Sequence, residues 1–163
     1  MSRAVGTGGP PALYELRVGV FATPEGVRDF VHRARALLAG PAGAAARRWT
    51  VSVAQEADPA SPSGGDDASL TVAGLYDELP QQWAIEHPGR DPRGRTTAQV
   101  RFGVVTEAPD AVHEALCGLL CPEPLHPGPC PVPWAADSRA CDDEHERAYL
   151  EGAYRHLLDG RSA

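Results

Sequence analysis

Apolar and polar residues alternate from Tyr14 onward, with Tyr14, Leu16, Val18 and Val20 on one side and Glu15, Arg17 and Gly19 on the other, which predicts a strand with one buried face. The period then lengthens. Thr23-Pro24-Glu25 supplies an N-cap, a proline at the first helical position and an early acid, and Val27, Phe30, Val31, Ala34, Leu37 and Leu38 follow at helical spacing. A helix over 24–39 is predicted, stopped by Gly40-Pro41. Alternation returns over 48–54, with Trp49, Val51 and Val53 on one face. Residues 69–75 read as a strand, 82–86 as a weaker one with Trp83 and Ile85 on one side, and 97–106 as another, with Val100, Phe102 and Val104 opposite Arg101 and Gly103. Pro109-Asp110 opens a second helix carrying Val112, Ala115, Leu116, Leu119 and Leu120. A third is predicted over 142–158, where Tyr149/Leu150, Ala153/Tyr154 and Leu157/Leu158 recur every four residues behind an acidic first turn. Its stripe either docks on the domain or meets a partner.

The remaining segments lack this patterning. Residues 1–11 read as a disordered N-terminus, 56–68 as a mobile loop with too little apolar content to pack, and 87–95 as a loop rich in Pro, Gly and Arg. An internal echo stands out against them: Leu16-Arg17-Val18-Gly19-Val20-Phe21 matches Val100-Arg101-Phe102-Gly103-Val104-Val105. Each copy is followed by a Pro-acid helix start, a Leu-Leu helix end, a Pro/Gly linker and a Trp. One such unit leaves a sheet face bare, whereas two side by side make a sheet with both helices on one face. The fold expected for residues 1–163 is therefore one α+β domain, a ferredoxin-like α/β sandwich of two duplicated β-α-β-like halves. It has an antiparallel sheet of about four to six strands and an added C-terminal helix.

Composition narrows the function classes. The net charge of −7 divides as −2 over residues 1–82 and −5 over 83–163, so neither half attracts a phosphate backbone, and nucleic acid is not expected as a partner. No window approaches a membrane span and the start lacks the apolar run of a secretory signal, so a soluble, cytoplasmic protein without a membrane partner is expected. Thiols stay reduced in that compartment, which directs attention to the four cysteines as ligands, reactive groups or small hydrophobes rather than disulfides.

All four cysteines and three of the six histidines fall between residues 113 and 145. His113, Cys117 and Cys121 follow at i, i+4 and i+8 on the second helix, Cys141 and His145 are four apart at the start of the third, and Cys121 to Pro131 forms a proline-stiffened loop holding His126 and Cys130. Zinc takes four thiolate or imidazole ligands in a tetrahedron, and Cys121, His126, Cys130 and Cys141 are the candidate set. The spacings match no common finger or ribbon, and the alternative is packing cysteines with solvated histidines.

Other chemistry is thinner. Cys121-Pro122 and Cys130-Pro131 permit a redox or haem-ligating thiolate, and Arg90, Arg93 and Arg95 sit in a glycine-containing loop that could fork an anion but is offset by Glu86 and Asp91. No nucleophile elbow or His-Glu-x-x-His run is present, and a cofactor-free enzyme would use His87 or Tyr76 in a cleft beneath the sheet. The chain reads first as a small non-catalytic accessory or protein-interaction module with a protein partner or a homodimeric mate. The alternative is a zinc-binding protein or small-molecule enzyme with its site in residues 113–145.

Overall fold

The computed structural model describes residues 9–61, 69–123 and 125–160 and is mixed α+β, with a four-stranded antiparallel sheet and five helices. In chain order these are β1 (Ala12–Ala22), α1 (Pro24–Ala39), β2 (Ala46–Gln55), α2 (Val72–Leu75), α3 (Glu78–Glu86), β3 (Thr96–Thr106), α4 (Pro109–Cys117), β4 (Trp134–Arg139) and α5 (Glu144–Leu158). The strands lie in the order β2-β3-β1-β4, every neighbour antiparallel. No helix among the described residues is long and apolar enough to cross a membrane.

Helix α1 begins where its cap requires: the Thr23 hydroxyl accepts from Gly26 N at 3.2 Å, and Pro24 occupies the first turn, where its missing N–H costs no bond. Its buried residues Val27, Phe30, Ala34 and Leu38 meet Leu16, Val18, Val20, Val100, Phe102 and Val104, joined by Val112 and Leu116 of α4. The periodicity of the sequence thus closes one core, with Phe30 edge-on to Phe102 at 6.1 Å between ring centres.

The opposite face departs from expectation. It is also covered, so β1 and β3 are buried on both sides. Helices α2 and α3 pack Val72, Tyr76, Leu79 and Trp83 against Phe21 and Ala54, while α5 packs Leu150, Tyr154 and Leu157 against Leu13 and Val105. The polar side of the alternation, Glu15, Arg17, Gln99 and Arg101, therefore lies between the two apolar clusters and is bonded internally. Arg17 forks onto Asp137 at 2.7 and 2.6 Å, and Tyr149 and Tyr154 donate to Glu15 Oε2 at 2.7 and 2.5 Å. Gln99 donates to the Tyr76 hydroxyl at 3.1 Å and accepts from Arg101 Nε at 2.5 Å.

Two tyrosine rings fit over this face because glycines lie beneath them. A Cβ at Gly19 would stand 2.5 Å from the Tyr76 ring, and one at Gly103 would stand 2.3 Å from the Tyr154 ring. The arrangement is mirrored. Glu15 pairs in register with Gly103 and Gln99 with Gly19, so each tyrosine lies on the glycine of one strand and bonds the residue paired with it on the other.

The middle of the chain is helical where strands were expected. Residues 72–75 and 78–86 form α2 and α3, the first capped by the Thr71 hydroxyl on Gly74 N at 3.2 Å. Val72, Tyr76, Leu79 and Trp83 are spaced four, three and four apart, the spacing of a buried helical stripe, while Ile85, paired with Trp83 in the strand reading, is 79% exposed. Of the segment expected to be a loop, Ala60 and Ser61 are buried and Pro59 bridges Thr71, because Arg101 Nη2 donates to Pro59 O at 2.6 Å and to Ala60 O at 3.3 Å. Residues 62–68, and the expected N-terminal disorder over 1–8, lie outside the described residues.

Candidate metal centre

The loop joining α4 to β4 closes at the end of the sheet where β1 finishes. Helix α4 stops at Cys117, one turn before the apolar pattern ends, and a tightened turn follows in which Cys121 N still donates to Cys117 O at 3.1 Å. His126 N donates to Glu123 O at 3.0 Å, and Phe21 N on β1 donates to Pro133 O at 3.1 Å, which ties the loop at both ends. Between the two remaining cluster residues, Gly128 has φ of 86°, a backbone region open to glycine, and the turn there brings Cys130 back towards His126.

Three of the four expected ligands meet. The ligand atoms of Cys121, His126 and Cys130 all lie within 4.8 Å of one another and could hold a metal ion. Cys130 Sγ is 3.7 Å from Cys121 Sγ and 3.4 Å from His126 Nε2. Cys141 is placed elsewhere. Its Sγ faces Leu13 O at 3.8 Å, beside the α5 cluster and beyond the far end of β4. His145 is exposed on α5, and His113 and Cys117 remain on α4, so the i, i+4 pairs of the sequence do not converge.

These distances match a shared tetrahedral ion. With zinc bonds of about 2.3 Å to sulfur and about 2.05 Å to nitrogen, a tetrahedral angle separates two sulfurs by about 3.8 Å and sulfur from nitrogen by about 3.6 Å. His126 Nδ1 lies 3.4 Å from Pro127 O, which can only accept, and a hydrogen placed there would leave the lone pair on Nε2, towards Cys130.

Burial raises the Cys130 pKa first, the Cys121 hydrogen bond and charge raise it further, the Trp134 indole opposes them as a donor, and the Glu86 charge adds to the rise. Two residues that bear on Cys130 were not read from the sequence: Trp134, whose indole lowers its pKa, and Glu86, whose charge raises it. Among the described residues Glu86 Oε2 is buried without a hydrogen-bond partner, and its Oε1 accepts from Gln82 at 2.9 Å. An open cavity of about 310 Å³ lies against Cys121 and His126, rimmed by Pro122, Glu123, Pro129 and Pro131.

No family profile, curated protein or solved structure matches the chain.

The other candidates are dispersed. Tyr76 is buried on Gly19, and His87 stacks on Trp83 at 4.8 Å with its Nδ1 3.0 Å from Trp83 O, so each is held in a packing contact of its own. Arg93 is paired with Asp91 at 2.6 Å and Arg95 lies over Trp83 while donating to Phe21 O, so the arginine loop does not converge on an anion.

Proposed function

We propose that the chain is a zinc-binding protein whose ion is held by Cys121, His126 and Cys130, with its fourth position open to the adjoining cavity. The observation that carries this is the agreement of the 3.7 Å and 3.4 Å separations with those of two thiolates and an imidazole on one tetrahedral ion. The donor set selects the metal class: two sulfurs and an imidazole suit a borderline-soft ion, whereas calcium and magnesium take oxygen ligands. Three protein ligands with an open fourth position is the pattern of zinc sites that carry a water or a small ligand, and such an ion supplies Lewis acidity.

The interaction-module reading has less support, because the Tyr149, Tyr154 and Leu157 stripe it would use is turned onto the chain's own sheet. For the fold we infer a ferredoxin-like sandwich built from two duplicated halves. Its support is the order β2-β3-β1-β4, in which β1-α1-β2 and β3-α4-β4 interleave, and the mirrored glycine-tyrosine contacts.

The test is the metal content of untagged protein purified without chelator, measured by inductively coupled plasma mass spectrometry. About one zinc per chain, lost in the Cys130→Ser variant, is the expected result. A folded chain that neither retains zinc nor takes it up on titration overturns the reading.

A further inference from the structure

A second cavity lies at the opposite edge of the sheet, beside β2, whereas the cysteine loop leads into the other edge strand, β4. It measures about 430 Å³ and runs between α1 and the edge strand β2, reaching Thr96 at the start of β3. Its floor is apolar, formed by Val27, Val31 and Val53. Its rim carries the cations Arg28 and Arg35 with His32 between them, residues that follow at i, i+4 and i+7 and so share one flank of α1. Among the described residues no carboxylate lines it, although acids outnumber arginines 22 to 15 in the chain. Arg28 shares its charge with Glu25 at 2.9 Å, while Arg35 has no acidic partner among the described residues and also borders a neighbouring cavity of about 300 Å³ beside Trp49 and Val51.

We propose that this groove binds a small organic acid with an apolar body, its carboxylate or phosphate held by Arg35 and its neighbours over the valine floor. The volume is that of a small-molecule pocket, and the guanidinium fork suits a planar carboxylate or a phosphate. An inorganic anion would leave the valines wet, and a neutral hydrocarbon would gain nothing from the rim. The site is independent of the zinc centre.

The full chain is titrated with 8-anilinonaphthalene-1-sulfonate, an acid with an aromatic body, followed by fluorescence and competed with decanoate or with decan-1-ol. One saturable site is expected, displaced by decanoate and not by the alcohol at equal concentration. Arg35→Glu weakens the dye at least tenfold. Arg33→Glu, on a residue of the same helix that does not line the cavity and pairs with Asp29 at 3.6 Å, leaves affinity unchanged. The proposal is overturned by an absence of saturable binding, by equal effects of the two substitutions, or by equal displacement by the alcohol. Circular dichroism of both variants, which change exposed side chains, confirms that the comparison is between folded proteins.

Discussion

Between the two apolar clusters on the covered face of the sheet, the buried Glu15, Arg17 and Gln99 and the half-buried Arg101 find partners within the chain; at the end of the same sheet, Cys121, His126 and Cys130 converge with long sulfur contacts of 3.7 and 3.4 Å between them. In the first cluster donors meet acceptors: hydroxyls on a carboxylate, a guanidinium on Asp137, an amide on a phenol. That is how buried polar groups are made tolerable, and the result is structure. In the second, two thiols and an imidazole lone pair are all electron-pair donors to a metal and weak partners for one another. Convergence of like donors in a half-exposed loop could hold a metal ion, which separates a candidate site from a buried network of equal polarity.

The largest expected effect breaks the second cluster. Cys130→Ser should lower zinc affinity at least 1,000-fold, about 4 kcal/mol, in a competition titration with a chromogenic chelator, while Cys141→Ser, on a cysteine facing Leu13, should leave it within a factor of two. Equal losses from the two would show that the ion lies elsewhere. The next effect falls on the first cluster. Gly103→Ala places a methyl where the Tyr154 ring lies and should destabilise the fold by about 2–3 kcal/mol in urea unfolding, with zinc binding by the remaining folded protein unchanged. A neutral result would mean that the ring yields without cost. Tyr154→Phe is milder. It leaves Glu15 the Tyr149 hydroxyl and should cost about 1–2 kcal/mol, while a change below about 0.3 kcal/mol would show that the bond contributes nothing net.

The sequence made much of this legible, and the failures have physical reasons. Helix α1 appears over the predicted residues because cap, proline and stripe agree. Strands β1 and β3 were found from one face. The other was misassigned to solvent, since alternation identifies a polar side but cannot say whether a helix will cover it. Helices α2 and α3 were hidden by alternating Trp83 and Ile85, although the four-three-four spacing from Val72 to Trp83 was available. The candidate metal site was half legible. Clustering of residue types in a proline-stiffened loop pointed to Cys121, His126 and Cys130, but distance along the chain does not report which end of a strand a residue occupies. Cys130 precedes β4 and Cys141 follows it, and six extended residues separate their ends by roughly 20 Å.

The smallest effect concerns pH and tests whether the tyrosines of the first cluster are as enclosed as their contacts imply. Burial raises the Tyr154 pKa first, and the charge and hydrogen bond of Glu15 raise it further; Tyr149 is raised for the same reasons in the same order. A phenol whose folded pKa exceeds its unfolded value of about 10 keeps its proton longer when native, so its contribution is whole below pH 10 and declines above it. The unfolded chain then releases protons that the native one retains. At pH 10 the loss attributable to Tyr154 is about 0.4 kcal/mol, and it grows as the pH rises towards the folded value. Urea midpoints measured from pH 8 to 11 should therefore fall less steeply in Tyr154→Phe than in the parent chain, because the substitution removes one of the groups responsible. Superimposable pH profiles would mean that Tyr154 titrates alike in both states, and the covered face would then be open to water at its centre.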